Sequence, residues 1–172
     1  MTESTFVDTN ILVYARDAGQ QTKQVVAQEC LRQLWQQRAG RISIQVLSEY
    51  YVTLTRKLKP GLSADTAWDD IDALMAWNPQ PIDRAVLTRA REIERRYRTS
   101  WWDATIVAAA HAQGCRILLS EDFQHGMAFD QLKVRNPFAS ELNESNAGYT
   151  DYAATIQPRP RHRPRGRPRK SP

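Results

Sequence analysis

Cysteine is scarce in this chain: Cys30 and Cys115 are the only two in 172 residues, with no spacing that suggests a zinc site or a disulfide framework. Both fall in segments of apolar periodicity, so free, buried thiols in a reducing compartment are expected. Long apolar runs are missing as well. None approaches the roughly 20 residues that cross a bilayer as a helix. The opening residues Met1 to Thr5 lack the basic-then-apolar layout of a secretory signal. No internal repeat is found. These absences point to a cytoplasmic protein with no membrane partner.

What is present begins with 41% hydrophobic residues and five tryptophans, enough for one core with room for an appendage. The net charge of +5 is unevenly placed. From Pro158 to Pro172 there are six arginines and Lys170 and no acid. Setting those seven aside leaves 17 basic against 19 acidic residues, a globular part near −2. The basic character belongs to the tail.

Along the chain, Thr5-Phe6-Val7 reads as a buried strand ending at Asp8, after which Asp8-Thr9-Asn10 supplies helix-start chemistry. An amphipathic helix is predicted from Thr22 to Gln37, with Val25, Val26, Cys30, Leu31 and Leu34 on its apolar side. Arg41 to Ile44 is a second strand candidate, and the spacing of Val46, Leu47, Tyr50, Leu54 and Leu58 is helical. Ser63 can cap a helix to about Trp77, closed by Asn78-Pro79. Pro81-Ile82-Asp83 fits a short strand, followed by a helix from Ala85 to Tyr97. Ser100 caps another that Gly114 ends. Cys115 to Leu119 and Leu132 to Val134 are the last strands. Strands separated by a dozen or more helical residues imply crossover connections. The expectation is a three-layer α/β/α sandwich with a mainly parallel sheet at 1–138, a linker at 139–157, and a disordered basic tail at 158–172.

Open parallel sheets bind ligands at the carboxyl ends of their strands. Four acids are expected to meet there. Asp8 leaves the first strand, and Asp122 follows the strand ending at Leu119. Glu49 and Asp103 stand in the first turns of helices, where the dipole favours a carboxylate. Each alone reads as an ordinary cap or first-turn acid. Together they repel unless some protonate or a divalent cation neutralises them. Oxygen-only ligands select hard ions such as Mg²⁺ or Mn²⁺, which suit phosphodiester hydrolysis. No histidine is needed for that chemistry, and structural or solvent-exposed roles are expected of His111 and His125.

Five segments carry a resemblance. Residues 6–15 (FVDTNILVYA), 42–51 (ISIQVLSEYY), 100–110 (SWWDATIVAAA), 117–126 (ILLSEDFQHG) and 132–138 (LKVRNPF) resemble, in order and spacing, the motifs of PIN-domain nucleases. Within that family the compact chain looks most like the VapC-type toxins of type II toxin–antitoxin pairs. The resemblance implies that Asp8, Glu49, Asp103 and Asp122 hold Mg²⁺ or Mn²⁺ and are catalytic. It implies that Asn10 orients Asp8 or a bound water, and that Ser120 hydrogen-bonds the first acid or the substrate. Glu121 beside Asp122 is a departure: it either shares the metal or faces solvent. An RNA substrate, cleavage to a 5′-phosphate and 3′-hydroxyl, a cognate antitoxin and a homodimer follow as expectations. The Ser63–Trp77 region is open as antitoxin groove, core or dimer contact. The alternatives are a PIN nuclease for RNA processing or DNA outside such a pair, and a non-enzymatic nucleic-acid-binding module.

The tail adds a second feature. Its Pro164-Arg165-Gly166-Arg167-Pro168 stretch, with Arg169 following, resembles the AT-hook. Glycine lets the backbone approach the minor-groove floor, arginines favour its negative potential, and prolines keep the strand extended. A·T-rich DNA is therefore an expected partner, and capture of RNA is the competing use of the same charges.

Overall fold

A computed structural model describes residues 3–139. The linker, apart from Ala139, and the basic tail with its AT-hook-like segment lie outside the described residues.

Short apolar runs make the strands, and polar caps start nearly every helix. β1 (Thr5–Val7) is buried along its length, as a strand covered on both faces should be. It stops where the Asp8 carboxylate caps α1 (Thr9–Arg16). A 3₁₀ turn at Ala18–Gln20 leads into α2 (Gln21–Gln37), which ends on Arg38 in the left-handed conformation. β2 (Gly40–Arg41) follows. Ser43 caps α3 (Ile44–Val52), which widens into a π-helical turn at Thr53–Lys57. Ser63 caps α4 (Ala64–Leu74), Asp83 caps α5 (Arg84–Tyr97), and Ser100 caps α6 (Trp101–Ala112). β3 (Ile117–Leu119), β4 (Ala128–Phe129) and β5 (Leu132–Arg135) complete the domain.

The sheet order is β2-β1-β3-β5-β4, parallel throughout except for β4 against β5. This is the expected α/β fold with a mainly parallel central sheet. Val7 lies opposite Leu119, so β1 and β3 end level and set Asp8 beside Ser120. Arg16, Tyr50 and Asp70 tie α1, α3 and α4 together: Tyr50 donates to Asp70 at 2.8 Å and Arg16 Nε at 2.9 Å. Among the described residues no helix is long and apolar enough to cross a membrane.

Several local expectations need correction. The second strand covers only Gly40–Arg41, because Ser43 turns its hydroxyl to the Val46 N–H and starts the helix at Ile44. Pro81–Asp83 forms no strand. Gln80 instead makes an isolated parallel bridge to Ser43, and Asp83 accepts from the Val86 N–H to cap α5. Of Cys115–Leu119 only the last three residues are strand. The two-residue β4 is too short to leave a pattern in the sequence. On α2, Ala27 is buried while Val25 is 66% exposed, and Cys30 is only half-buried. In the Ser63–Trp77 region Ala67, Ile71, Leu74 and Trp77 are core, whereas Trp68 and Met75 are exposed. His111 is structural: its Nε2 meets the Phe129 carbonyl at 2.9 Å, an acceptor that requires the proton on that nitrogen.

Gly40 is the tightest backbone position. A Cβ there would lie 2.5 Å from the buried indole of Trp77. Gly40→Ala is expected to destabilise by about 1–3 kcal/mol through overpacking, read as a lower midpoint in chemical unfolding. An unchanged midpoint would show that Trp77 moves aside freely.

Candidate active site

Asp8 is the pivot of the acidic end of the sheet. Its backbone N–H bonds to Leu119 O at 3.0 Å, which pins it between β1 and β3. The side chain is 6% exposed. It accepts from Thr9 N at 2.7 Å, from the buried Ser120 hydroxyl at 2.6 Å, and from Asn10 Nδ2 at 3.2 Å. Burial pushes its pKa up to about 7, the neighbouring Asp122 and Glu49 charges add to that, and the Ser120 and Thr9 hydrogen bonds only partly oppose it.

The other acids join Asp8 through polar intermediaries. Thr9 Oγ1 donates to Glu49 at 3.2 Å, while Gln45, one helical turn earlier, donates to its other oxygen at 2.9 Å. Asn10 Nδ2 lies 3.0 Å from Asp122 and 3.3 Å from Ser120, so its two hydrogens serve three acceptors. Its carbonyl receives the Glu121 N–H at 3.3 Å, and Ser120 Oγ receives the Asp122 N–H at 3.1 Å. Asp8, Asn10, Glu49, Ser120 and Asp122 are thus brought together from three segments. Thr9 and Gln45 carry no motif of their own; adjacency to Asp8 and a four-residue step to Glu49 are the only signals for them.

Asp103 stands apart from this network. It lies in the first turn of α6 with its N–H on the Ser100 hydroxyl at 3.1 Å, and it accepts from Thr99 at 3.4 Å. Gln45 Nε2, 3.5 Å from Trp102 O, links α3 to that turn. Glu121 turns the other way and pairs with Lys23 on α2. Burial opposes the Lys23 charge, but hydrogen bonds to Glu121 and to Tyr14 at 3.1 Å raise its pKa. The ammonium sits 4.4 Å from the Tyr14 ring centroid and 5.4 Å from that of Phe138. Glu121 is therefore neither free in solvent nor part of the Asp8 network.

The donor set is all oxygen, and the Asp8 carboxyl is raised to about 7 chiefly by burial, with the Asp122 and Glu49 charges adding to it. That chemistry fits a hard divalent cation. The spacing is looser: among the described residues no group of three acidic, histidine or cysteine side chains is arranged to enclose an ion. On the Glu49 side the cluster opens into a groove of about 800 Å³ between α3 and the start of α6. Thr9, Gln45 and Glu49 line it together with Ile44, Val52, Leu87 and Trp102.

A mainly parallel sheet with acids at its carboxyl edge defines an α/β domain with an acidic candidate site. The chain matches the PIN domain over residues 5–128 and belongs to that family. Its fold is similar to a toxin–antitoxin complex from Klebsiella pneumoniae, with 20% identity, a TM-score of 0.58, and coverage of 78% of this chain and 98% of that one. It is also similar to VapC20 of Mycobacterium tuberculosis, a sarcin–ricin loop cleaving toxin. There the identity is 23%, the TM-score 0.53, and the coverage 76% of this chain and 99% of the other. No curated protein matches the sequence significantly.

The raised Asp8 pKa has a thermodynamic consequence. The folded state binds this proton more tightly than the unfolded chain, whose value is near 3.8. Its stabilising contribution is full below pH 4 and is lost as pH rises to about 7. In chelator, unfolding free energies of the natural protein and Asp8→Asn should diverge across that window by about 4 kcal/mol, then run parallel. A constant difference from pH 4 to 8 would mean that Asp8 does not titrate there.

Proposed function

We propose that the chain is a divalent-metal-dependent endoribonuclease and the toxin member of a type II toxin–antitoxin pair. The observation that carries the reading is the convergence of Asp8, Glu49 and Asp122 on one carboxyl edge of the sheet, each accepting a hydrogen bond from Thr9 or Asn10. Family membership supports it, as does the fold shared with a structure described as a toxin–antitoxin complex and with one described as a toxin.

In this reading Asp8, Glu49, Asp103 and Asp122 hold Mg²⁺ or Mn²⁺. When bound, such an ion polarises a phosphoryl oxygen and lowers the pKa of a water. Ser120 and Asn10 keep the Asp8 carboxylate in place, and Thr9 and Gln45 do the same for Glu49. Water attacks phosphorus in line with the 3′ oxygen. The new P–O bond forms as the P–O3′ bond breaks, the water proton passes to an acid or to solvent, and the 3′ oxygen leaves as a hydroxyl. The products are a 5′-phosphate and a 3′-hydroxyl. Lys23 satisfies Glu121, which serves the site by anchoring the Ser120–Asp122 segment to α2.

Around the site, a cognate antitoxin restrains the enzyme by presenting a basic side chain to the acids. Arg165, Gly166, Arg167, Pro168 and Arg169 in the tail attract nucleic acid to a globular part that is itself near −2.

Mapping of cleavage across total cellular RNA tests the chemistry. Asp8→Asn and Asp103→Asn are expected to lose Mg²⁺-dependent cuts by at least a hundredfold, with unfolding midpoints equal to or above that of the natural protein. Glu121→Gln should keep activity within about tenfold, because the residue positions rather than ligates. Persistent metal-dependent cleavage by Asp8→Asn would sink the assignment. Deleting residues 158–172 should lower nucleic-acid affinity and flatten its salt dependence. Equal losses for A·T duplex, G·C duplex and single-stranded RNA would argue against minor-groove selectivity.

A further inference from the structure

Away from the groove, β5 carries charge that neither the core nor the acid network uses. Leu132 and Val134 point into the core, and Lys133 and Arg135 alternate with them on an exposed face. Arg116, also exposed, lies beside Lys133 and accepts its backbone N–H at 2.8 Å. All three cations line a cavity of about 390 Å³. Among the described residues none of them forms an ion pair. One acid, Glu3, also lines the cavity and is paired with none of them. Like charges that neighbour one another on a sheet are destabilising, so folding alone gives no reason to gather them.

We propose that Arg116, Lys133 and Arg135 bind backbone phosphates of the RNA, on the stretch that leads away from the scissile phosphate across β5. The inference rests on the endoribonuclease reading and adds to it substrate-positioning residues outside the acid site. Position carries it first. β5 adjoins β3 on the side away from β1, and Arg135 is level with Leu119. The Ser120 N–H donates to Arg135 O at 3.1 Å, so the row of cations ends at the edge that holds Asp8 and Asp122. His125, on the loop that carries Asp122, lines the same cavity and accepts the Asn136 N–H at 3.1 Å. Spacing carries it second. Alternate residues of a strand are roughly 6.6 Å apart, a step that lets Lys133 and Arg135 take successive phosphates of an extended chain. Chemistry then selects among polyanions. An acidic protein segment would need an apolar anchor, and the apolar liners here, Ile117 and Val134, are half-buried and buried. Phosphate contacts carry no base information, so this surface fixes where the strand lies without reading its sequence.

The test uses the full-length chain and labelled RNAs spanning a mapped cleavage position, one extended only on its 5′ side and one only on its 3′ side. Binding is read by anisotropy in chelator on an Asp8→Asn background. Arg116→Gln, Lys133→Gln and Arg135→Gln together should weaken binding of one of the two RNAs by about tenfold at low salt. For that RNA the slope of log K against log salt should flatten by about 2, the value for three phosphate contacts to a single strand. The variant R116K/R135K, which keeps every charge, should bind as its parent does. With Asp8 restored and Mg²⁺ present, the glutamine variant should raise KM for that RNA and leave kcat within about twofold, because ground and transition states lose the same contact. Unchanged binding and slope for both RNAs, while the natural protein still cuts, overturns this surface alone. Equal losses for both RNAs overturn it too, since the cations lie on one side of the acids. A larger loss for polyglutamate than for RNA overturns it in favour of an acidic protein partner. A lowered unfolding midpoint with loss of binding in R116K/R135K as well overturns it in favour of a structural role. If the natural protein neither binds nor cuts RNA, the endoribonuclease reading falls as well.

Discussion

A carboxylate buried between the ends of two parallel strands is the constraint on which the rest of this structure depends. Asp8 caps α1, closes the β1–β3 edge through its backbone, and faces two further acids. As a cap it stabilises the fold, since its side chain satisfies an otherwise unpaired helix N–H. As a buried charge beside like charges it opposes folding. The two roles meet in one residue, and the raised pKa measures how far the second intrudes on the first.

The surrounding side chains moderate that conflict without removing it. Ser120, Asn10 and Thr9 supply donors, while the acids remain separated by those same donors and not merged into one proton-sharing pair. Lys23, a cation beside this network, is committed to Glu121 and stacked against two aromatic rings. Positive charge is thus kept beside the acid network and out of it. An internal lysine on Asp8 would stabilise the empty fold and remove the demand for an external cation. Stability given up at a site in this way is a common companion of function.

Shape continues the same logic outward. Glu49 lies at an open, largely apolar groove that Lys57 also lines. A polyanion drawn only by charge would avoid the acids. In the proposed reading, a cation held by the acids would offset that repulsion over the short distance where it matters.

Elements with their own local chemistry were legible in the sequence. Hydroxyl and carboxylate caps at Asp8, Ser63 and Ser100, and the apolar runs at Thr5–Val7 and Ile117–Leu119, depend on neighbours a few residues away, so their reading holds in the structure. The order of the motifs likewise led to the family and to the parallel sheet. The sequence misled where two elements had to agree. Ile42 and Ile44 look like strand, yet the Ser43 cap and the Gln80 bridge between them decide otherwise. Val25 looks like core, yet the closely packed side of α2 takes Ala27. At the site, Asp8, Glu49 and Asp122 lie in one hydrogen-bonded network, whereas Asp103 stands apart from it. Only tertiary structure decided that Thr9 and Gln45 hold Glu49, that Asn10 divides its hydrogens among three acceptors, and that Glu121 answers to Lys23. Apart from the local Gln45–Glu49 and Asn10–Asp8 bonds, those are contacts across tens of residues, set by strand register and helix packing, and a linear pattern with a period of two or 3.6 residues carries no record of them.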